Sequence, residues 1–80
     1  MRLDKYMKVS RLIKRREVAK EMIDLGYVSI NGKIAKPSSE VKEGDVLLIT
    51  SPSGKTMKVK IVKILLVASI KDASSMYEVM

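Results

Sequence analysis

The sequence predicts an α+β domain with two N-terminal helices packed on a small antiparallel sheet and a short C-terminal helix. Three observations carry that prediction. Apolar residues recur at helical spacing up to Gly26, they alternate from Tyr27 onward, and turn signals separate the alternating runs. There is no internal repeat, linker or boundary, so residues 1–80 are read as one domain.

The first helix is carried by Leu3, Tyr6 and Met7 and should run to about Lys8. Asp4 lies in its first turn, where the helix dipole favours an anion, and can pair with Lys8 four residues on. The second helix should start near Lys14. Val18, Ala19, Met22 and Ile23 form its apolar stripe, and Glu17, Lys20, Glu21 and Asp24 its wet face. Gly26 supplies a left-handed C-terminal residue and stops it.

"YVSINGKIAKP" then alternates around Asn31-Gly32, a strong hairpin signal. A plain two-residue turn would put Val28 and Ile34 on opposite faces. A longer loop with Gly32 left-handed would pair them on one face, and that register is the expectation. Pro37 ends the hairpin, Gly44 marks a turn, and "VLLIT", apolar on both faces, reads as a central strand. A turn at "SPSGKT" leads into a long strand through "MKVKIVKILLV". Its apolar positions change phase at Val62, which suggests a bulge. Asp72 would cap a last helix with Ala73, Met76, Tyr77 and Met80 on one face.

Charge narrows the function. The formal net charge is +7, and it is not spread evenly. Residues 2–16 hold seven cations (Arg2, Lys5, Lys8, Arg11, Lys14, Arg15, Arg16) against one anion, Asp4, whereas residues 17–80 hold nine cations and eight anions. A single-sign block on a balanced chain repels itself and calls for a polyanionic partner, nucleic acid before an anionic membrane. No cofactor or metal is expected. The chain has no cysteine and no histidine, the commonest metal ligands, and lacks the commonest general base. "SGKT" resembles the end of a phosphate-cradling loop, but that loop needs glycine where Ile49 stands, and a strand pattern follows. The acids of the second helix lie beside lysines on a solvated face, so no enzyme is expected. No run is long enough to span a membrane, and the N-terminus has no apolar signal core; a soluble cytoplasmic protein is expected.

The cations can be placed. A helix N-terminus attracts phosphate through its free N–H groups. Lys14, Arg15 and Arg16 stand at that end of the second helix, while Lys5, Lys8 and Arg11 come from the first helix and the connection. Together they would form a concave cationic corner, with Lys33 and Lys36 reaching it from the hairpin; a solvated turn residue is an equal account of Lys33. Lys58, Lys60 and Lys63 fit a solvated sheet face better than a second patch. With only Tyr6, Tyr27 and Tyr77 as aromatics, recognition should rest on phosphates and shape, as for structured RNA, not on stacked bases.

Residues 2 to about 50 resemble the RNA-binding domain first known from ribosomal small-subunit protein S-four. The resemblance rests on Arg2-Leu3-Asp4-Lys5, then Arg11, Arg15 or Arg16, Ala19, Gly26, Val28, Asn31-Gly32-Lys33, Lys36-Pro37-Ser38 and Gly44-Asp45. It implies two helices on a small antiparallel sheet, with RNA held by the basic face of the helices. Residues 51–80 would add a strand and short helix completing the sheet, too little for the catalytic domains this module accompanies in pseudouridine synthases and tyrosyl-tRNA synthetases. The short form is similar to the bacterial ribosome-associated quality-control proteins related to heat shock protein fifteen. Those bind large ribosomal subunits blocked by peptidyl-tRNA, contact ribosomal RNA and tRNA, and in compact form assist alanine tailing; this chain lacks the long basic tail of heat shock protein fifteen. The partners so implied are large-subunit ribosomal RNA, tRNA and a quality-control factor, bound by a monomer. Two alternatives stand beside this reading: a DNA-binding helix pair, disfavoured by Glu17, Glu21 and Asp24, and an adaptor for an acidic protein.

Overall fold

The computed structural model describes all 80 residues. The elements are α1 (Leu3–Val9), α2 (Arg16–Asp24), β1 (Val28–Ile30), β2 (Lys33–Ile34), β3 (Val46–Thr50), β4 (Thr56–Ile61), α3 (Ile70–Ala73) and β5 (Tyr77–Val79). The strands form one antiparallel sheet in the order β2-β1-β3-β4-β5. Its inner face carries Val28, Leu47, Ile49, Val59 and Ile61, which form one core with Leu3, Tyr6 and Met7 of α1 and Ala19 and Ile23 of α2. Its outer face carries Lys58 and Lys60, both exposed. β3 is central, yet only one face of it is covered: Leu47 and Ile49 are buried and Leu48 is exposed.

α1 matches its apolar pattern closely. α2 begins two residues later than expected, because Leu12 and Ile13 of the connection pack against the core and Arg15 remains extended. Its stripe is also narrower: Ala19 and Ile23 are buried, while Val18 is exposed. Gly26 stops the helix with φ of 85°, the left-handed conformation that glycine adopts without a Cβ clash.

Three expectations are corrected. The β1–β2 hairpin uses the two-residue turn, pairing Ser29 with Ile34 and Ile30 with Lys33. Asn31 and Gly32 both take positive φ, as a primed turn requires, so no longer loop is needed. Asn31 is fixed there: its Oδ1 accepts from the Val46 N–H and its Nδ2 donates to Asp45. Ile34 is consequently exposed, and Ala35 takes the buried place.

β4 ends at Ile61 and does not continue through a bulge. The change of phase at Val62 marks the point where the chain leaves the sheet, with the N–H groups of Val62 and Lys63 both donating to the Met76 carbonyl. The C-terminal segment is also not one helix. α3 is a four-residue turn capped by Ser69, whose Oγ accepts from the Asp72 N–H; Asp72 itself lies in the first turn. Tyr77–Val79 then pairs with β4. The free edge of β4 offers ladder hydrogen bonds that an isolated short helix cannot match.

Candidate nucleic-acid interface

The site begins with how α1 is anchored. Its first N–H groups donate to the segment after the hairpin, Leu3 to the Ser39 carbonyl and Asp4 to the Pro37 carbonyl, and Arg2 forms a single antiparallel bridge with Glu40. The other face of the helix is locked by burial of Leu3, Tyr6 and Met7. The Tyr6 hydroxyl donates to the Met76 carbonyl at 2.8 Å. Burial, with Tyr77 nearby, raises its ionisation above the ordinary tyrosine range.

Asp4 is where the helices meet. Its carboxylate is 2% exposed and accepts four hydrogen bonds. Arg2 donates from Nε at 3.2 Å and Nη2 at 3.1 Å, Arg16 from Nη2 at 3.4 Å, and the Lys5 backbone N–H at 2.8 Å. Burial alone would push this carboxyl up. The Lys5 N–H bond and the Arg16 and Arg2 guanidinium groups outweigh that and hold it below the usual aspartate range. The expected pair with Lys8 does not form.

The arginines are the outward half of this arrangement. Arg2 is 47% exposed and Arg16 45%, and each guanidinium keeps N–H donors that Asp4 does not use. A fork held in one orientation loses less freedom when it grips a phosphate than a free one. α2 starts here without a side-chain cap, so its first backbone N–H groups stay open beside Arg16. The cleft so formed is lined by Arg2, Asp4, Arg16, Glu17 and Lys20.

The other cations fall into three groups. Lys14 and Arg15 are exposed just before α2, Lys5 is half-buried on α1, and Lys36 is exposed immediately before the Pro37 carbonyl that anchors Asp4. All four are close chain neighbours of residues that form or anchor the cleft, but none lines it. Lys33 is exposed on the edge strand β2. Lys8 and Arg11 line a different cleft at the far end of α1, with Val9, Leu66, Val67 and Ala68. Sequence reasoning missed Asp4 as an organiser and Lys20 as a lining residue. The signal was present: Asp4 is the lone anion in a block of seven cations. No tyrosine offers a fully exposed ring, since Tyr6 is buried and Tyr27 and Tyr77 are half-buried.

Comparison with known proteins gives three findings. A family model described as the S4 domain matches residues 1–47. Proteins named RQC P-site tRNA stabilizing factor are similar along the whole chain. That of Halalkalibacterium halodurans is 47% identical over 79 residues, spanning 99% of this chain and 89% of its own length. That of Listeria innocua is 48% identical over 80 residues, spanning 100% and 86%. Among solved structures, the trimeric structure of Vibrio cholerae Heat Shock Protein 15 matches with a TM-score of 0.89 and 30% identity, covering 100% of this chain and 81% of that one.

Proposed function

This chain belongs to the S4 domain family, and we propose that it is an RNA-binding protein of the large ribosomal subunit that steadies P-site tRNA during ribosome-associated quality control of stalled nascent chains, including alanine tailing. It acts without catalysis, in the cytoplasm, by contacting ribosomal RNA and tRNA. The observation that carries this reading is the pair of half-exposed arginine forks, from different elements, pinned to one buried carboxylate. Two oriented forks at the uncapped start of a helix suit phosphates a fixed distance apart, which a folded RNA presents and a flexible strand does not. Lys20 lines the same cleft, the chain neighbours Lys5, Lys14, Arg15 and Lys36 add to the positive charge of this part of the chain, and the shortage of exposed aromatic rings argues against base stacking. The acids Glu17, Glu21 and Asp24 lie exposed along α2, which disfavours that helix in a DNA major groove.

Sedimentation tests the reading. The tagged chain should co-sediment with large ribosomal subunits, more strongly with those carrying peptidyl-tRNA than with vacant ones, and nuclease treatment should release it. Equal binding to small and large subunits would refute the ribosome-specific part and leave RNA binding to stand on its own.

A further inference from the structure

The cleft at the far end of α1 has a chemistry of its own. Its lining of Lys8, Val9, Arg11, Leu66, Val67 and Ala68 shares no residue with the cleft around Asp4; on α1 the nearest lining residues of the two are Asp4 and Lys8, about 6 Å of rise apart. Leu66 and Val67 are 72% and 86% exposed, with Ile70 at 72% just beyond. Lys8 and Arg11 form no ion pair, and residues 61–71 contain no acid. No peptide group from Ile64 to Ala68 takes part in an intramolecular backbone hydrogen bond. Arg11 also sits at φ of 62°, a conformation that glycine would adopt without strain.

These features together select an occupant. Phosphates would suit Lys8 and Arg11 but would leave Leu66 and Val67 in water. A second copy of the chain would bring another seven net positive charges to a surface already cationic. An acidic segment with apolar side chains satisfies both halves. We propose that this cleft docks an extended acidic and apolar segment of a protein partner. Its carboxylates meet Lys8 and Arg11, its apolar side chains cover Leu66 and Val67, and its backbone pairs with the open peptide groups of residues 64–68. This surface is separate from the RNA contact, so either can fail alone.

The test is an amide NMR titration of the whole isotope-labelled chain. The probes are an eight-residue peptide alternating aspartate and leucine, an all-aspartate peptide of the same length, and a structured RNA hairpin. The alternating peptide should shift amides 8–11 and 64–68 and bind at least tenfold more tightly than the all-aspartate peptide. The double variant Leu66→Ser/Val67→Ser, at exposed positions that the core does not need, should abolish those shifts and leave hairpin affinity within twofold. Several results would overturn the proposal: no peptide binding, shifts centred on Arg2 and Arg16, or equal binding of both peptides. So would hairpin RNA shifting residues 64–68, which would make RNA the occupant, or self-association that the double variant abolishes, which would make it a second copy.

Discussion

Asp4 of α1 and Arg16 of α2, twelve positions apart in the chain, are joined by a hydrogen-bonded ion pair at 3.4 Å in which the carboxylate is buried and the guanidinium is half-exposed. The same carboxylate holds Arg2. One buried anion thus sets the distance and direction of two cations that face solvent, and the first prediction follows from that geometry.

Asp4→Asn adds one unit of net positive charge, yet it should weaken binding to a structured RNA. The asparagine keeps the size but loses the ionic grip on both guanidinium groups, which then become mobile. The expected loss is about 5- to 10-fold, equivalent to about 1 kcal/mol of lost preorganisation. Tighter binding by Asp4→Asn in a filter-binding or anisotropy titration would mean that bulk charge, not fork placement, governs affinity.

Arg16→Ala should weaken RNA binding and flatten the plot of log affinity against log salt by roughly one unit, the release of one counterion. Lys60→Ala lies on the outer face of the sheet, away from the cleft, and should leave both affinity and slope unchanged within error. The comparison is made at several salt concentrations with one RNA hairpin.

Stability should depend on Asp4 in acid and on Tyr6 in alkali. Because the folded Asp4 carboxyl is held below its ordinary value, its contribution is present above the unfolded value of about 3.9 and is lost as pH falls through the folded one. Because folded Tyr6 is held above its ordinary value, its contribution is present below about pH 10 and disappears as pH rises towards the folded one. Urea midpoints across pH should show a shallower acid limb for Asp4→Asn and a shallower alkaline limb for Tyr6→Phe.

Asn31→Gly keeps a residue able to take positive φ but removes both side-chain bonds that tie the turn to β3. It should lower unfolding free energy by about 1–2 kcal/mol, since the Val46 N–H loses its partner and Asp45 keeps only that of Lys42. Chemical denaturation measures this directly. RNA affinity should be unchanged wherever the protein remains folded, because the turn contributes nothing to the Asp4 cleft.

The sequence by itself determined the helical face of Leu3, Tyr6 and Met7, the stop at Gly26, the turn at Asn31-Gly32 and the concentration of cations before α2. Each depends on local periodicity or on a single residue's conformational preference, which neighbours in the chain express. Tertiary structure decided what required a partner distant in sequence. Tyr77–Val79 is a strand because the edge of β4 was free to pair, and Ile34 faces outward because the anchoring of Asn31 on β3 fixed the register. Four of the seven clustered cations fall on two distinct clefts, because Asp4 could reach Arg2 and Arg16 while Lys8 and Arg11 lay towards the other end of the same short helix. A count of charges carries no such information; only the packing of two helices around a buried carboxylate supplies it.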